Sequence, residues 1–442
     1  MVSFKNFLNI FSIPELCKKI MFTLGVLIVF RLGVHIPVIG VDVEALHLQM
    51  QQLKGLGGAF AYIDILSGGM LRYCTLFALG IMPYISASIM MQMLSMTVPS
   101  FEALTKEGEL GRKIINQYTR YLALGLSIFQ SSILATVLER NNLVLTPGWT
   151  FRFLFVVSLV VGSMFVMWLG EQISLYGIGN GSSMLIFANI VSRFPEDIMK
   201  MIGEVQQGNL DIMYPLMILA LFLFVAGCIV FLERGERKIP VQYSRRVVGQ
   251  RVYGGQSSYI PFKLNTPGIM PVIFAGVMLN IPRFISTMLA DRFEIFKWLS
   301  ENLSRMGMVD AVLQFTLILV FSFLYTAMIF NPEEVAENIK KSGGHIPGVR
   351  PGKQTAEYFT MVLNRLGLVG ALYLAALALL PSILYMLIGN VALTGISFLS
   401  GTSLLIMVGV ALETAAQIES YLIEHRYEGL LTSGRFKARG AR

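Results

Sequence analysis

From Leu366 to Leu412 the chain runs for 47 residues without one Asp, Glu, Lys or Arg. As a single α-helix that stretch would be about 70 Å long at ~1.5 Å per residue, more than twice the thickness of bilayer hydrocarbon. It must therefore fold back on itself, and Gly389-Asn390 is the natural place to turn. The chain is 55% hydrophobic, so this hairpin is not an isolated anchor. Lipid is the solvent that dictates the architecture.

Six further long uncharged stretches are helix-forming spans: Tyr73 to Phe101, Tyr121 to Leu138, Phe153 to Gly170, Ile212 to Leu232, Leu264 to Pro282 and Ala311 to Pro332. Two weaker ones complete the set. Met21 to Val38 carries Arg31 and His35, and Ser182 to Val191 is long enough only if it continues toward Met201. The total is ten spans. Backbone amides and carbonyls in hydrocarbon find no water, so each span is helical, and no run of about ten alternating residues suggests a barrel.

Lys and Arg counts orient the chain. Connections 1–20, 97–120, 170–181, 232–265, 331–365 and 413–442 hold 24 of these residues, and the alternate connections hold ten. Both termini are expected in the cytoplasm. Ten spans divide into two halves of five, and an odd number per half inverts the second relative to the first, which builds a site or pore between two repeats. The expected fold is thus all-α and polytopic: an N-terminal half over 1–211, a C-terminal half over 212–412 with cytoplasmic loops 232–265 and 331–365, and a cytoplasmic tail over 413–442.

No small-residue cleavage site follows a short apolar core near Lys5, Lys18 and Lys19, so no removed signal peptide is expected. Cys17, Cys74 and Cys228 are far apart and form neither a CxxC pair nor a Cys/His cluster. No disulfide, zinc site or cofactor is expected. The net charge of +8 resides in the cytoplasmic loops and raises the question of which acidic partner they meet.

The loop Glu233 to Asn265 has seven basic residues against Glu233 and Glu236, and alternates Val, Ile and Tyr with Arg. That alternation predicts an ordered hairpin with Gly249 near its tip and Arg245, Arg246 and Arg251 clustered there. Two readings fit: a solvated loop that only sets orientation, or a contact surface for RNA phosphates or an acidic protein. In the second loop, Asn331-Pro332 ends a span, Glu333 to Lys341 predicts a short helix, and Gly and Pro residues around Arg350 predict an exposed turn. Gly352-Lys353-Gln354 lacks the rest of a Walker motif, and no strand precedes Gly177-Ile178-Gly179-Asn180-Gly181. Both are membrane-edge turns, and the chain is not expected to hydrolyse nucleotide.

On the opposite side, Ala59-Phe60-Ala61-Tyr62-Ile63-Asp64-Ile65-Leu66 predicts a helix of about 12 Å, too short to span. Glycines 55, 57, 58, 68 and 69 flank it as loose joints. It is either re-entrant or lies at the interface.

Several long motifs, in order, resemble the bacterial SecY family: FALGIMPYISASIMMQ at 77–92, MWLGEQISLYGIGNGSS at 167–183, RVYGGQS at 251–257, FNPEEVAENIKKSGGHIPGVRPG at 330–352 and SGTSLLI at 400–406. The resemblance covers essentially the whole chain. It implies a protein-conducting channel, not an enzyme, that moves unfolded secretory polypeptides across the bacterial cytoplasmic membrane and releases transmembrane segments sideways into lipid. By motif, a constricting ring falls on Ile81, Ile85, Ile186, Ile273 and Ile406, and residues 59–66 become a plug. Ile81 and Ile85 are one helical turn apart, and an apolar collar resists wetting.

The same resemblance implies a lateral gate of spans two, three, seven and eight. Gln130 and Asn280 either hydrogen-bond across that seam or within their own halves. Implied partners are SecE, SecG, the motor ATPase SecA, the ribosome, signal sequences and precursor chains, and membrane lipids. Arg251 and Arg350 match the family's contact positions, whereas Gln250 stands where many relatives carry a second Arg. The competing class is an ion-coupled transporter using Arg31 and His35, against which the span interiors hold almost no other ionisable group. No HExxH, GxSG or GxGD motif supports an intramembrane enzyme.

Overall fold

The computed structural model describes residues 13–42, 45–46, 74–140, 143–208, 211–243, 246–248, 251–253, 257–289, 294–303, 308–388 and 401–432. The chain divides into two compact units, one of residues 1–196 with 410–442 and the other of 197–409. The division falls inside two helices, beside Pro195 in one and Gly409 in the other.

In the first unit, helices α1 (Pro14–Gly33), α2 (Met82–Thr97), α3 (Pro99–Lys106), α4 (Glu109–Arg140) and α5 (Trp149–Tyr176) are followed by the start of α6 (Gly181–Gln206). The short α3 packs on α2 and α4, α4 packs between α2 and α5, and α1 packs on α5. The second unit contains α7 (Met213–Arg234), strands β1 (Glu236–Tyr243), β2 (Arg246–Val248), β3 (Arg251–Tyr253) and β4 (Ser257–Lys263), then α8 (Met270–Leu289), α9 (Glu294–Asn302), α10 (Met308–Ile329), α11 (Pro332–Lys341), β5 (Gly344–His345) and α12 (Lys353–Ile388). There α10 packs between α8 and α12. The last helix, α13 (Gly401–Thr432), begins in the second unit and ends in the first.

Helices α1, α2, α4, α5, α6, α7, α8, α10, α12 and α13 occupy the ten predicted span positions. Among the described residues, six are long and apolar enough on their own to cross a membrane. The boundaries differ from the uncharged stretches in an instructive way. The first helix starts at Pro14, where proline at the opening turn costs no hydrogen bond, and ends at Gly33. Arg31 therefore lies in its last turn, favourably placed against the helix dipole, and His35 lies beyond it, so the two do not share a helical face. Span two is helical only from Met82. Large apolar side chains are exposed on the spans, such as Phe224 and Phe231 on α7 and Trp149 and Phe153 on α5.

Candidate functional site

Residues 74–81, just ahead of α2, are irregular yet almost entirely buried. Buried non-helical backbone depends on protein partners for its polar groups, and several are supplied here. The Cys74 carbonyl accepts from the Val38 amide at 3.0 Å, the Leu76 amide donates to the Ile36 carbonyl at 2.9 Å, and Ser163 Oγ donates to the Gly80 carbonyl at 3.3 Å. A glycine on α5 makes room: a Cβ at Gly162 would stand 2.0 Å from the Leu76 carbonyl oxygen. Gly80 takes φ 54°, Pro83 starts the helix, and Ile81 is thereby fixed as the N-cap of α2 with its carbonyl accepting from the Ile85 amide.

The five isoleucines expected to form a ring are buried, with exposures of 3% for Ile81, 8% for Ile85, 4% for Ile186, 8% for Ile273 and 2% for Ile406. Ile81, Ile85 and Ile186 belong to the first unit and Ile273 and Ile406 to the second. In the first, Gly170 of α5 packs against Ile81 and against Leu185, the neighbour of Ile186. In the second, Gly409 of α13 packs on Ile269, where a Cβ would meet Cγ2 at 2.9 Å. Ile273 and Ile406 each lie about one helical turn from that crossing. Gln130 is half-buried on α4, and Asn280 is a residue of α8, in the other unit. Residues 59–66 and Arg245 lie outside the described residues.

The loops 232–265 and 331–365 form a platform in the second unit. β1 pairs antiparallel with β4, from Glu236 opposite Lys263 to Gln242 opposite Ser257, and β5 joins the far end of β1. Ile239 and Val241 turn inward and Lys238, Pro240 and Gln242 outward, the period of two expected for a half-buried strand. The inward face rests on Phe262, Ala336, Ile339, Ile346 and the fully buried Phe359 of α12. Phe359 lies 5.4 Å from the Phe262 ring and 6.4 Å from that of Phe330. On the outer face the Glu236 carboxylate accepts from Lys238 at 3.1 Å and the Tyr259 ring lies 4.8 Å away, both holding the Lys238 ammonium above its ordinary pKa.

β2 and β3 form the predicted hairpin, with Arg246 opposite Tyr253 and Val248 opposite Arg251, on either side of residues 249–250. This register puts positions 246 and 251 on one face of the ribbon. The predicted short helix is α11, capped by the Asn331 side chain, which accepts from the Glu333 and Glu334 amides. Its exposed Glu333, Glu334 and Glu337 make this part of the platform acidic, so the platform is of mixed sign. A groove of about 920 Å³ runs between α10, α11 and α12, with Phe323, Phe330 and Met361 along it and Glu333, Glu337 and Lys340 at its mouth. Arg350 is exposed on a turn in which Gly348 and Gly352 take φ 84° and 106° and Thr355 Oγ1 donates to the Arg350 carbonyl at 2.9 Å.

Two polar constructions escape a reading of the letters. Gly177 to Asn180 is the turn between α5 and α6, and it is clasped from three sides. The Ile178 amide donates to Thr23 Oγ1 of α1 at 3.1 Å, the Gly179 amide to Gln417 Oε1 of α13 at 2.8 Å, and the Gly181 amide to Ser174 Oγ at 2.9 Å. The second is a bidentate ion pair between Arg120 of α4 and Glu171 of α5. The partners are 51 residues apart, and the available signal is that each flanks an uncharged stretch, Arg120 before 121–138 and Glu171 after 153–170.

The SecY family model matches residues 75–415. A protein translocase subunit SecY of Thermus thermophilus is 42% identical over 441 residues, covering 98% of this chain and 99% of its own. Among solved structures, one described as a protein-conducting channel superposes with a TM-score of 0.62 at 18% identity, covering 91% of this chain and 92% of its own. Sec61 in a canine ribosome-channel complex from the endoplasmic reticulum does so with a TM-score of 0.58 at 16% identity, over 91% and 92%.

Proposed function

The chain belongs to the SecY family of protein translocase subunits, and from that premise we propose how its residues conduct and gate a polypeptide. It is a multi-pass membrane protein of the SecY fold, and the family consists of protein-conducting channels, not enzymes. Ile81, Ile85, Ile186, Ile273 and Ile406 form its constriction. Aliphatic side chains offer water no hydrogen bonds, so a narrow collar of them stays dry and blocks ions, and it parts for a chain because it is held by dispersion contacts alone. The observation that carries this reading is the burial of all five isoleucines together with the built support of Ile81 by residues 74–81.

Residues 59–66 act as the plug. Spans two, three, seven and eight form the lateral gate, with Gln130 and Asn280 along its seam, where polar contacts worth about 1 kcal/mol bias the closed state without locking it. The two halves are residues 1–211 and 212–412, inverted relative to each other. The protein resides in the bacterial cytoplasmic membrane with both termini, including the 413–442 tail, in the cytoplasm. Energy comes from outside the chain, from the ATPase SecA or from the ribosome. The Sec61 relative in a ribosome-channel complex supports the second source. Arg245, Arg246, Arg251 and Arg350 are the cationic contacts of the cytoplasmic platform, and SecE and SecG complete the assembly.

A photo-crosslinking experiment tests this. With SecE and SecA in vesicles, a signal-bearing precursor arrested in transit forms adducts to probes at Ile85 and Ile273 and none to a probe at the lipid-exposed Phe224. Adducts at neither ring position would overturn the constriction.

A further inference from the structure

Helix α2 and its N-cap carry two of the five isoleucines read as the ring, and α4 and α5 pack beside them. Tyr84, between Ile81 and Ile85 in sequence, is half-buried and packs with Ala87 of α2 in a cluster with Leu122, Ala123 and Leu126 of α4 and Met164 and Met167 of α5. Arg120 Nε donates to Glu171 Oε1 at 2.9 Å and Nη2 donates to Oε2 at 2.8 Å. A two-pronged guanidinium–carboxylate bond fixes distance and angle together, unlike a single contact between flexible chains. The Arg120 and Glu171 side chains are 51% and 20% exposed, so the acid is the more enclosed partner.

All of these residues lie in one unit, and α2, α4 and α5 are packed neighbours within it. Arg120 is one helical turn ahead of Ala123 and Leu124 on α4, and Glu171 is one turn beyond Met167 on α5. The ion pair therefore ties α4 to α5 about one turn from the cluster in which Tyr84 packs. If α4 and α5 separate there, the face of α2 beside Ile81 and Ile85 loses its backing.

We propose that Arg120 and Glu171, one helical turn from the cluster that holds Tyr84, are a positioning clamp that sets how readily α2 yields to an incoming chain, and so how strictly a signal sequence is required. The proposal rests on the reading of Ile81 and Ile85 as ring residues. It makes the pair a determinant of selectivity instead of a generic staple between two helices, and the two roles differ in what their loss does. A staple lowers all transport when it fails. A clamp on the closed state lowers the threshold, which helps precursors lacking a signal sequence more than those bearing one.

The test measures transport into vesicles of the same precursor with and without its signal sequence. Glu171→Gln, isosteric and uncharged, and Arg120→Gln should each raise the signal-less to signal-bearing ratio about fivefold, equivalent to about 1 kcal/mol of bias. The reciprocal exchange, Arg120→Glu with Glu171→Arg, should return the ratio to within about twofold of the parent, as expected for a directly coupled pair and not for two independent lesions. Tyr84→Phe, which keeps the ring, should change the ratio less than Tyr84→Ala. Equal loss of both transport rates, an unchanged ratio in the single variants, or no rescue in the exchange would each overturn the clamp. A probe at Ile85 in the parent separates this from the parent reading: adducts at Ile85 with an unchanged ratio sink the clamp alone, and their absence sinks the ring.

Discussion

Phe359→Ala is the substitution that most directly probes how the platform of β1, β4 and β5 is held. Phe359 has no exposed surface and sits between Phe262 of β4 and Phe330 at the end of α10, beneath Ile239 and Val241 of β1. Truncating a buried Phe costs about 3–5 kcal/mol, because the lost transfer energy adds to that of a cavity the walls cannot close. A β-ribbon has little stability without an apolar face to rest on, so the loss should appear as local opening of the platform and not as collapse of the spans. At about 1.4 kcal/mol per factor of ten, amides of β1 and β4 should exchange hydrogen at least about 100-fold faster, while those of α4, α5 and α12 beyond Leu374 keep their protection. Transport driven by the cytoplasmic motor should fall in parallel. Phe359→Leu should cost about 1 kcal/mol and leave most function intact. Unchanged exchange in β1 and β4, or equal loss of protection throughout the chain, would refute the reasoning.

Three further outcomes follow from particular contacts. Gly162→Ala places a methyl 2.0 Å from the Leu76 carbonyl oxygen, a backbone atom with nowhere to go, so it should destabilise the detergent-solubilised protein by about 1–3 kcal/mol in thermal unfolding, while Gly25→Ala, with nothing within 4 Å, should not. Arg350→Glu reverses the exposed charge of a well-built turn and should reduce motor-stimulated transport several-fold without lowering the amount of protein in the membrane; full stimulation would remove Arg350 from the contacts. Cysteines at Tyr62 and in a helix of the proposed partner SecE should crosslink mainly while a precursor occupies the channel, and a yield independent of channel state would return residues 59–66 to the interface.

The spans were legible because a charge in hydrocarbon is costly, so ten helices stand where the uncharged stretches lie. Helix ends were less so. The start of α2 at Met82 is set by Pro83, by the positive φ of Gly80 and by hydrogen bonds with Ile36, Val38 and Ser163, all three of which are long-range and leave no local trace. The hairpin of β2 and β3, the short α11 and the exposed turn at Arg350 could be read from alternation, capping and Gly/Pro spacing. Apolar residues one turn apart are ordinary in any span, so nothing in Ile81 or Ile406 themselves distinguishes a ring from packing; the family motifs carried that assignment. The Arg120–Glu171 pair was hidden for a different reason: pairing across 51 residues is a property of the packed helices, not of either segment.

The central claim is that a dry aliphatic waist is the barrier to ions, and resting conductance in planar bilayers tests it most directly. Ile406 is 2% exposed, and an Asn in its place brings an amide that recruits water wherever no partner is found. The account predicts that Ile406→Asn, and separately Ile85→Asn, opens a measurable ion leak in the absence of precursor, whereas Ile406→Leu keeps the membrane sealed. A resting conductance unchanged by either Asn would contradict it.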